Sequence, residues 1–439
     1  MKRTFDIVVV GAGPAGLAAA TAAARAGRRV AVIDENARVG GQIWRAGVGK
    51  PHASSARDRA IAEFDASGAE LFAGREVVDA GAPRELRAWI DAAQKRETFA
   101  FVQLIVATGA RERFLPFPGW TLPGVFGAGG LQALMRSGYS VRGKRVVVAG
   151  TGPLLLAVAA HLKQDGAQIV SINEQAPMGR LAKFGAGLLL RPAKIFQGVG
   201  LRAALAGIPY RTGCWPIDAE GSERLTAVRL SNGRRIWAER CDLLACGFHL
   251  TPNTELAALL GCAIDEGVVQ VDSNQQTSIA GIYCAGESTG VAGVDSAMLQ
   301  GEIAGLAAAG LRQKATRLYS KRDAEGAFGR AMNRAFALRH EVLSLAKPDT
   351  IVCRCEDVTF SELQAQASPH SGWTDAKLQT RCGMGSCQGR VCGQSLEAIF
   401  GWRNRSIRPP LFPIPVAAMC SAPLNENEDS IPVSQETSR

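Results

Sequence analysis

The stretch "FDIVVVGAGPAGLAAATAAARAGRRVAVIDE", residues 5–35, decides the fold. "FDIVVV" predicts a short buried strand, "GAGPAG" a turn, "LAAATAAARAG" a helix of small residues and "RRVAVIDE" a second strand. This order is that of one βαβ unit. Two basic residues followed by apolar ones also begin a signal peptide, but Asp6 and the glycine spacing favour a first strand.

The turn has the pattern Gly11-x-Gly13-x-x-Gly16. Gly11 makes the tight turn, Gly13 lets the backbone approach a pyrophosphate, and Gly16 lets the helix pack on the strand. The first free N–H groups of the helix then face the phosphates. Asp34 comes 23 residues after Gly11, where an acid can accept the ribose hydroxyls. The pattern predicts a dinucleotide site, and a similar turn without a ligand is the alternative.

The position of this loop at the start of the chain favours FAD over NAD. The "ATG" turn after the buried strand "FVQLIVATGA" and the later "YCAGES" favour FAD too, because the latter would lie near the ribityl chain and phosphates. The predicted cofactor-binding residues are Gly11, Gly13, Pro14, Ala15, Gly16, Asp34, Glu35, Gly41, Gln42, Ala107, Thr108, Gly109, Gly286 and Glu287.

A second unit of the same kind begins at residue 145, with the loop "GTGPLL". Leu155 stands in the place of the third glycine, so helix and strand cannot pack as closely. Asn173 stands where the ribose-binding acid is expected, with Glu174 one position further. Three outcomes stay open for this site: NAD(P) turnover, a structurally bound adenine nucleotide, or an empty scaffold.

Five cysteines lie between residues 353 and 392. Cys353-x-Cys355 and Cys382-x4-Cys387 supply two close pairs of thiolates, which suits a 2Fe-2S cluster with two ligands for each iron. Glycines 383, 385 and 389 would let backbone N–H groups approach the cluster sulfides. A zinc site and plain buried thiols are the alternatives. Cys392 could compete as a ligand, but we expect it to be packed in the core.

Composition excludes several function classes. The net charge of +10 is not gathered in any basic run, so we expect a solvated surface or a face that docks an acidic protein, and no nucleic-acid binding. No apolar run reaches the roughly 20 residues of a membrane helix. Eleven cysteines, an odd number, predict a reducing cytoplasm and thiols used for chemistry.

The order of these motifs predicts an α/β fold in which one Rossmann-like dinucleotide-binding domain is interrupted by another. The expected parts are an FAD-binding domain at 1–115 and 250–315, a degenerate NAD-type domain at 116–249, a helical linker at 316–349, a 2Fe-2S domain at 350–405, and a tail at 406–439 whose last part is mobile.

Residues 1–315 resemble the flavoprotein disulfide reductase superfamily, with two departures. Glu287 replaces a common Asp, and no Cys-x-x-Cys occurs, so disulfide reduction is not expected. The cysteine segment, "CRCED" with "RCGMGSCQGRVCG", resembles the bacterioferritin-associated ferredoxin-like module. That resemblance implies that Cys353, Cys355, Cys382 and Cys387 hold a 2Fe-2S cluster.

With "GGQIWR" at 40–45, residues 4–420 resemble the FAD/2Fe-2S alpha-type subunit of the opine oxidase, hydrogen cyanide synthase and D-hydroxyproline (proline) dehydrogenase family. The resemblance implies a glycine-oxidase-like partner flavoprotein that oxidises the amine. It also implies FMN at or near the subunit interface, a small third subunit in some complexes, and a downstream electron acceptor.

We therefore expect an electron-transfer subunit of a heteromeric amine or amino-acid dehydrogenase or oxidase, acting on CH–NH or CH–NH2 donors. No catalytic residue is assigned, because the five histidines are scattered without a paired acid or nucleophile. One alternative is a stand-alone NAD(P)H-dependent flavin and iron–sulfur reductase. Another is a scaffold in which zinc and one nucleotide only hold the fold.

Overall fold

The computed structural model describes residues 2–45, 55–368, 371–404 and 407–416. Its largest element is a seven-stranded sheet made of β1 Lys2–Val10, β2 Val30–Asp34, β3 Glu70–Ala73, β4 Glu76–Asp79, β5 Glu85–Ile90, β6 Lys95–Val106 and β19 Ile282–Cys284. The strand order is β3-β2-β1-β6-β5-β4, with β19 beside β6. The strands β3, β2, β1, β6 and β19 are parallel, and β5 and β4 are antiparallel additions.

The second sheet has five parallel strands, which are β8 Val125–Gly127, β9 Arg145–Thr151, β10 Gln168–Glu174, β11 Tyr210–Thr212 and β15 Leu243–Phe248. Their order in the sheet is β11-β10-β9-β15-β8. The apolar residues of β9 and β15 are buried on both faces of this sheet. One face packs against residues such as Leu131 and Val158, and the other against residues such as Trp215 and Val228.

The smaller sheets are antiparallel. They consist of β12 Trp215–Glu220, β13 Ala227–Ser231 and β14 Ile236–Arg240; β7 Ala110–Glu112 with β16 Leu250–Pro252; β17 Ile264–Asp265 with β18 Val268–Val269; and β20 Ile351–Cys353 with β21 Val358–Thr359.

The described helices are α1 Pro14–Arg25, α2 Ser55–Asp65, α3 Ala128–Arg136, α4 Leu154–Gln164, α5 Met178–Gly187, α6 Pro192–Ala204, α7 Glu255–Leu259, α8 Val294–Ala308, α9 Arg312–Ala335, α10 His340–Leu343, α11 Phe360–Ala365, α12 Trp373–Thr380 and α13 Cys392–Phe400. Within the described ranges, none of these helices is long and apolar enough to cross a membrane.

Helices α1 and α8 pack on the first sheet through small residues. A Cβ atom on Gly301 or Gly305 of α8 would overlap the carbonyl oxygen of Ala15 or Ala19 of α1. The two backbones therefore touch directly, which holds the start of α1 rigidly above the sheet.

The chain leaves the first sheet, builds the second sheet, and returns to the first with β19. This topology confirms the predicted α/β class with one dinucleotide fold interrupted by another. The domain limits given above stay predictions. The expected mobility of the last part of the tail falls on residues 417–439, which lie outside the described residues.

Candidate functional site

The first glycine loop is closed by backbone contacts that only glycine allows. Gly11 has φ +105°, and a Cβ atom there would overlap the carbonyl oxygen of Ala107. A Cβ atom on Gly16 would overlap the carbonyl oxygen of Gly11. Both glycines therefore play the packing roles predicted from the sequence.

Gly13 differs from Gly11 and Gly16, because the space that a side chain would occupy there is open. A Cβ atom there would meet only the Cα of Gly41, at 3.9 Å, and α1 begins directly after it with Pro14. Gly40 donates its N–H to the carbonyl of Ala12 at 2.8 Å, which holds the segment containing Gly41 against the loop. The result is an accessible loop at a helix N-terminus, and its free N–H groups suit a pyrophosphate.

Asp34 braces this loop from the end of β2. Its Oδ2 accepts the Ala12 N–H at 2.6 Å, and its Oδ1 accepts the Asn36 N–H at 2.7 Å and the Asn36 side-chain amide at 2.9 Å. Glu35 stands beside it on the exposed rim, where partial burial raises the pKa of its carboxyl group and the Asp34 charge raises it further. Gln42 is also exposed and accepts from Arg45 at 2.9 Å.

The "ATG" turn contacts the residues after β16 and β19. Thr108 donates its hydroxyl to the carbonyl of Asn253 at 2.9 Å and lies 3.1 Å from the Ser288 hydroxyl. The Ser288 hydroxyl lies 3.1 Å from the Gly109 carbonyl oxygen. Asn253 and Ser288 were not predicted from the sequence, because nothing in their local motifs indicates a contact across more than 140 positions.

Gly286 joins the first loop from the other side. A Cβ atom on it would lie 2.9 Å from the Cβ of Ala15, and its N–H donates to the Gln300 side chain at 2.8 Å. Burial raises the pKa of the neighbouring Glu287 carboxyl group. The structure thus gathers the predicted cofactor residues of the glycine loop, the "ATG" turn and the Gly286 turn around the N-terminus of α1.

The cysteines gather at one place. The Sγ atoms of Cys353, Cys382 and Cys392 lie within 4.8 Å of one another, and all three side chains are buried. Cys387 is hydrogen-bonded to Cys392 and to Cys355, and Cys355 is exposed at 3.8 Å from Ser386. Five thiols therefore form one group, which fits the donor set of an iron–sulfur cluster and also that of a zinc ion.

Cys392 lies at the centre of this group of thiols, although it was expected only to be packed in the core. Its side chain is 1% exposed, as expected, yet its thiol contacts those of Cys353, Cys382 and Cys387. The repeated spacing Cys382-x4-Cys387-x4-Cys392 was the sequence signal that this third thiol joins the group. The four predicted ligands thus share their site with a fifth thiol.

Hydrogen bonds between these thiols shift their pKa values in opposite directions: they lower those of Cys353 and Cys387, and raise that of Cys382 to about 12 and that of Cys392 as well. The pKa of Cys353 is lowered, first by its bond to Cys382, then by its bond to Cys392. The pKa of Cys387 is lowered to about 5, chiefly by its bond to Cys392. Backbone N–H groups of Gly383 and Gly389 add to the lowering at Cys353 and Cys387 respectively. Thiolates are the form that binds metals.

The glycines of this segment also have a steric role that the sequence did not reveal. A Cβ atom on Gly385 would overlap the Cβ of Cys355, and one on Gly383 or Gly389 would lie 2.8 or 2.7 Å from the Trp373 ring. Trp373 is 5% exposed, so the ring cannot move aside without cost. The glycines let the thiol loop lie flat on this tryptophan.

The cysteine unit is hydrogen-bonded to the region before β8. Trp120 donates its indole N–H to the carbonyl of Ile351 at 2.6 Å, and Ser395 donates its hydroxyl to the carbonyl of Phe114 at 2.8 Å. Arg390 of the same unit donates to the carbonyl of Leu411 at 2.6 Å, and Leu411 is bonded in turn to Val78 of β4. These bonds fix the thiol group relative to both sheets.

The second glycine loop has its own carboxylate, one position after the predicted one. Glu174 accepts the Gly152 N–H at 2.7 Å and the Ala176 N–H at 2.8 Å, the same bracing that Asp34 gives the first loop. Asn173 instead bonds Ser171 and Arg211 inside the sheet. Burial raises the pKa of Glu174 to about 7.

Comparison with known proteins agrees with this architecture. The family described as pyridine nucleotide-disulphide oxidoreductase matches residues 5–301. The chain is 32% identical to hydrogen cyanide synthase subunit HcnB of Pseudomonas protegens, over 94% of this chain and 97% of that protein. It is 32% identical to an opine oxidase subunit of Agrobacterium tumefaciens, over 95% of this chain and 92% of that protein.

A solved structure, that of L-proline dehydrogenase from P. horikoshii, has the same fold, with a TM-score of 0.69, 18% identity, and coverage of 95% of this chain and 80% of that one. The chain belongs to the pyridine nucleotide-disulphide oxidoreductase family of FAD-binding oxidoreductases. Within it, the chain is a member of the group that contains HcnB and the opine oxidase subunit, as the sequence resemblance indicated.

Proposed function

We propose that this chain is the FAD- and 2Fe-2S-containing electron-transfer subunit of a heteromeric amine or amino-acid dehydrogenase or oxidase, with the substrate oxidised on a partner flavoprotein subunit. The observation that carries the proposal is the presence, in one chain, of an open FAD-type loop and a group of five thiols. The names of the relatives support a complex, since each is called a subunit.

The residues of the first site would hold FAD as follows. The start of α1 offers N–H groups to the pyrophosphate, and Gly13 leaves room for it. Asp34 keeps the loop in shape through Ala12 and Asn36. Because both Asp34 oxygens are engaged in this way, the exposed Glu35 would accept the ribose hydroxyls, the role that the sequence pattern gave to Asp34.

The cysteine unit would hold the metal through Cys353, Cys355, Cys382 and Cys387, with Cys392 against them. The buried thiols are shielded from water by Trp373, and the Gly383 and Gly389 N–H groups stabilise the thiolate form. FAD bound at the first site would supply two-electron chemistry, and a 2Fe-2S cluster bound at the cysteines would supply one-electron chemistry. FMN at a subunit interface and a cytoplasmic location stay predictions.

The test is anaerobic co-expression of this chain with any glycine-oxidase-like flavoprotein that a neighbouring gene encodes. We expect a stable complex whose visible absorbance bleaches when an opine, proline, hydroxyproline or glycine is added, while the isolated chain shows no such change. Iron and acid-labile sulfide should be present at two each per chain. Full-rate amine oxidation by the chain alone would contradict the division of labour, and one zinc per chain would contradict the cluster.

A Cys353→Ser variant of the complex sharpens this test. Because Cys353 contacts two other thiols of the group, we expect loss of most iron with FAD retained. The matched control is Cys241→Ser, in the second nucleotide-type module (residues 116–249). Cys241 is buried, burial raises the pKa of its thiol to about 12, and its replacement should leave the iron content unchanged.

A further inference from the structure

Residues 336–339, here called the covering segment, lie over the second glycine loop. Gln175 follows Glu174 and contacts this segment with both ends of its amide. Its Nε2 donates to the Phe336 and Ala337 carbonyls at 3.4 and 3.3 Å, and its Oε1 accepts the Arg339 N–H at 3.1 Å. The Thr151 hydroxyl of the glycine loop lies 3.0 Å from the same Phe336 carbonyl oxygen.

The covering segment is anchored by side chains as well as by these bonds. The Phe336 ring is 6% exposed and packs edge-on against Phe184 of α5, with ring centroids 5.7 Å apart. Arg180 donates to the Ala337 carbonyl at 3.0 Å, and the Arg339 guanidinium lies 4.8 Å from the Trp215 ring centroid. The segment is therefore held from α5 and β12 in addition to the loop.

The covering segment lies over the residues that would bind the phosphates and ribose hydroxyls of a dinucleotide. In such folds the ribose hydroxyls bind at the end of the second strand and the phosphates at the glycine loop. Glu174 and Gln175 are 0% exposed here, and Thr151 is 3% exposed. In the first module the residue in the same place as Gln175 is Glu35, and it is exposed.

We propose that the covering segment excludes adenine nucleotides from the second loop, and that Gln175 is the residue that determines this specificity. Its amide satisfies carbonyls of the chain itself in the place where ribose hydroxyls would bind. This selects the empty scaffold among the three outcomes left open by the sequence. It does not depend on the proposed partner or substrate.

The test titrates the FAD-loaded full chain with ADP-ribose in a calorimeter. We expect no saturable binding by the wild type at millimolar ADP-ribose. Gln175→Ala removes the bonds to the covering segment and should bind ADP-ribose at least about tenfold more tightly than the wild type. The matched control, Gln364→Ala at an exposed position of α11, should behave as the wild type.

Micromolar binding by the wild type would overturn the proposal, and so would a Gln175→Ala variant that retains FAD but gains no affinity. If Gln175→Ala does not fold, Phe336→Ala loosens the same segment from α5 and should give the same gain. A folded Phe336→Ala chain with unchanged affinity would overturn the proposal too.

Discussion

Gly16 and Leu155 occupy the same place in the two glycine loops, but the first position has no room for a side chain and the second is filled by a large one. At Gly16 the helix backbone touches the loop backbone, and a methyl group would overlap the Gly11 carbonyl oxygen. Leu155 is 1% exposed in an apolar cluster, and a Cβ atom on Gly247 of β15 would lie 3.4 Å from its Cδ2. In the first loop this position brings the helix and loop backbones into contact, and in the second it carries a side chain of the core.

The largest effect on FAD content should come from Gly16→Ala. The added methyl group would push α1 away from the loop, so we expect FAD content to fall by at least about tenfold, measured as flavin absorbance per chain. Gly198→Ala in α6 is the control, because its methyl group would meet nothing within 4 Å and should raise stability by about 0.5–1 kcal/mol. Full flavin content in Gly16→Ala would refute the assigned role of this glycine.

Leu155→Ala should act on stability without creating a nucleotide site. Because Leu155 is fully buried, we expect the free energy of unfolding to fall by about 4 kcal/mol in denaturant titrations. Its neighbour is the matched control: Leu154 is 36% exposed, and Leu154→Ala should cost less than about 1 kcal/mol. Equal losses from the two variants would mean that the place of the third glycine is not a core position in this module.

Glu174→Gln should reveal the buried carboxyl group through pH dependence. The folded-state pKa is raised from 4.5 to about 7, so between these values the folded chain holds a proton that the unfolded chain has released. In the wild type, Glu174 therefore makes its full contribution to the free energy of unfolding below pH 4.5, and this contribution is lost as pH rises towards 7. The variant cannot titrate there, so its stability relative to the wild type should grow by about 3 kcal/mol across this window.

The measurement for Glu174 is the difference in unfolding free energy between variant and wild type at several pH values. Tyr210 and Cys214 lie close enough for the Glu174 charge to affect them, but burial raises the pKa of both well above this window. A difference that stays flat from pH 4.5 to about 7.5 would show that Glu174 is ionised throughout.

Asn36→Ala should give the smallest effect. It removes one hydrogen bond to Asp34 and a longer one from Arg45, and leaves the Ala12 bond to Asp34 in place. We expect FAD affinity to fall by about fivefold, since one such bond is worth about 1 kcal/mol. A loss as large as that of Gly16→Ala would mean that the acid, and not the glycine packing, holds the loop.

Sequence reasoning predicted most of the first module and less of the second. The glycines, Asp34 and the "ATG" turn form local motifs whose spacing determines their geometry. Counting from Gly150 pointed to Asn173, but the pairing of β10 with β9 shifts register between Ile169 and Ser171, and Glu174 braces the loop. The covering segment was beyond prediction, because it meets Gln175 from more than 160 positions away.

The sequence also predicted only part of the arrangement of the thiol group. Its spacing predicted a metal site, and the structure brings the predicted thiols together with Cys392. Cys392 was expected to be packed, and this side chain at the start of α13 is packed, but its thiol also contacts three other thiols. The repeated x4 spacing brings Cys392 near the other thiols, but it does not show that one side chain can be packed in the core and contact them as well.

The most direct measurement is to denature the purified protein and count the adenine nucleotides it releases. We expect one FAD for each chain, from the first loop, and no NAD, ATP or ADP from the second. Two adenine nucleotides per chain, or none, would contradict it.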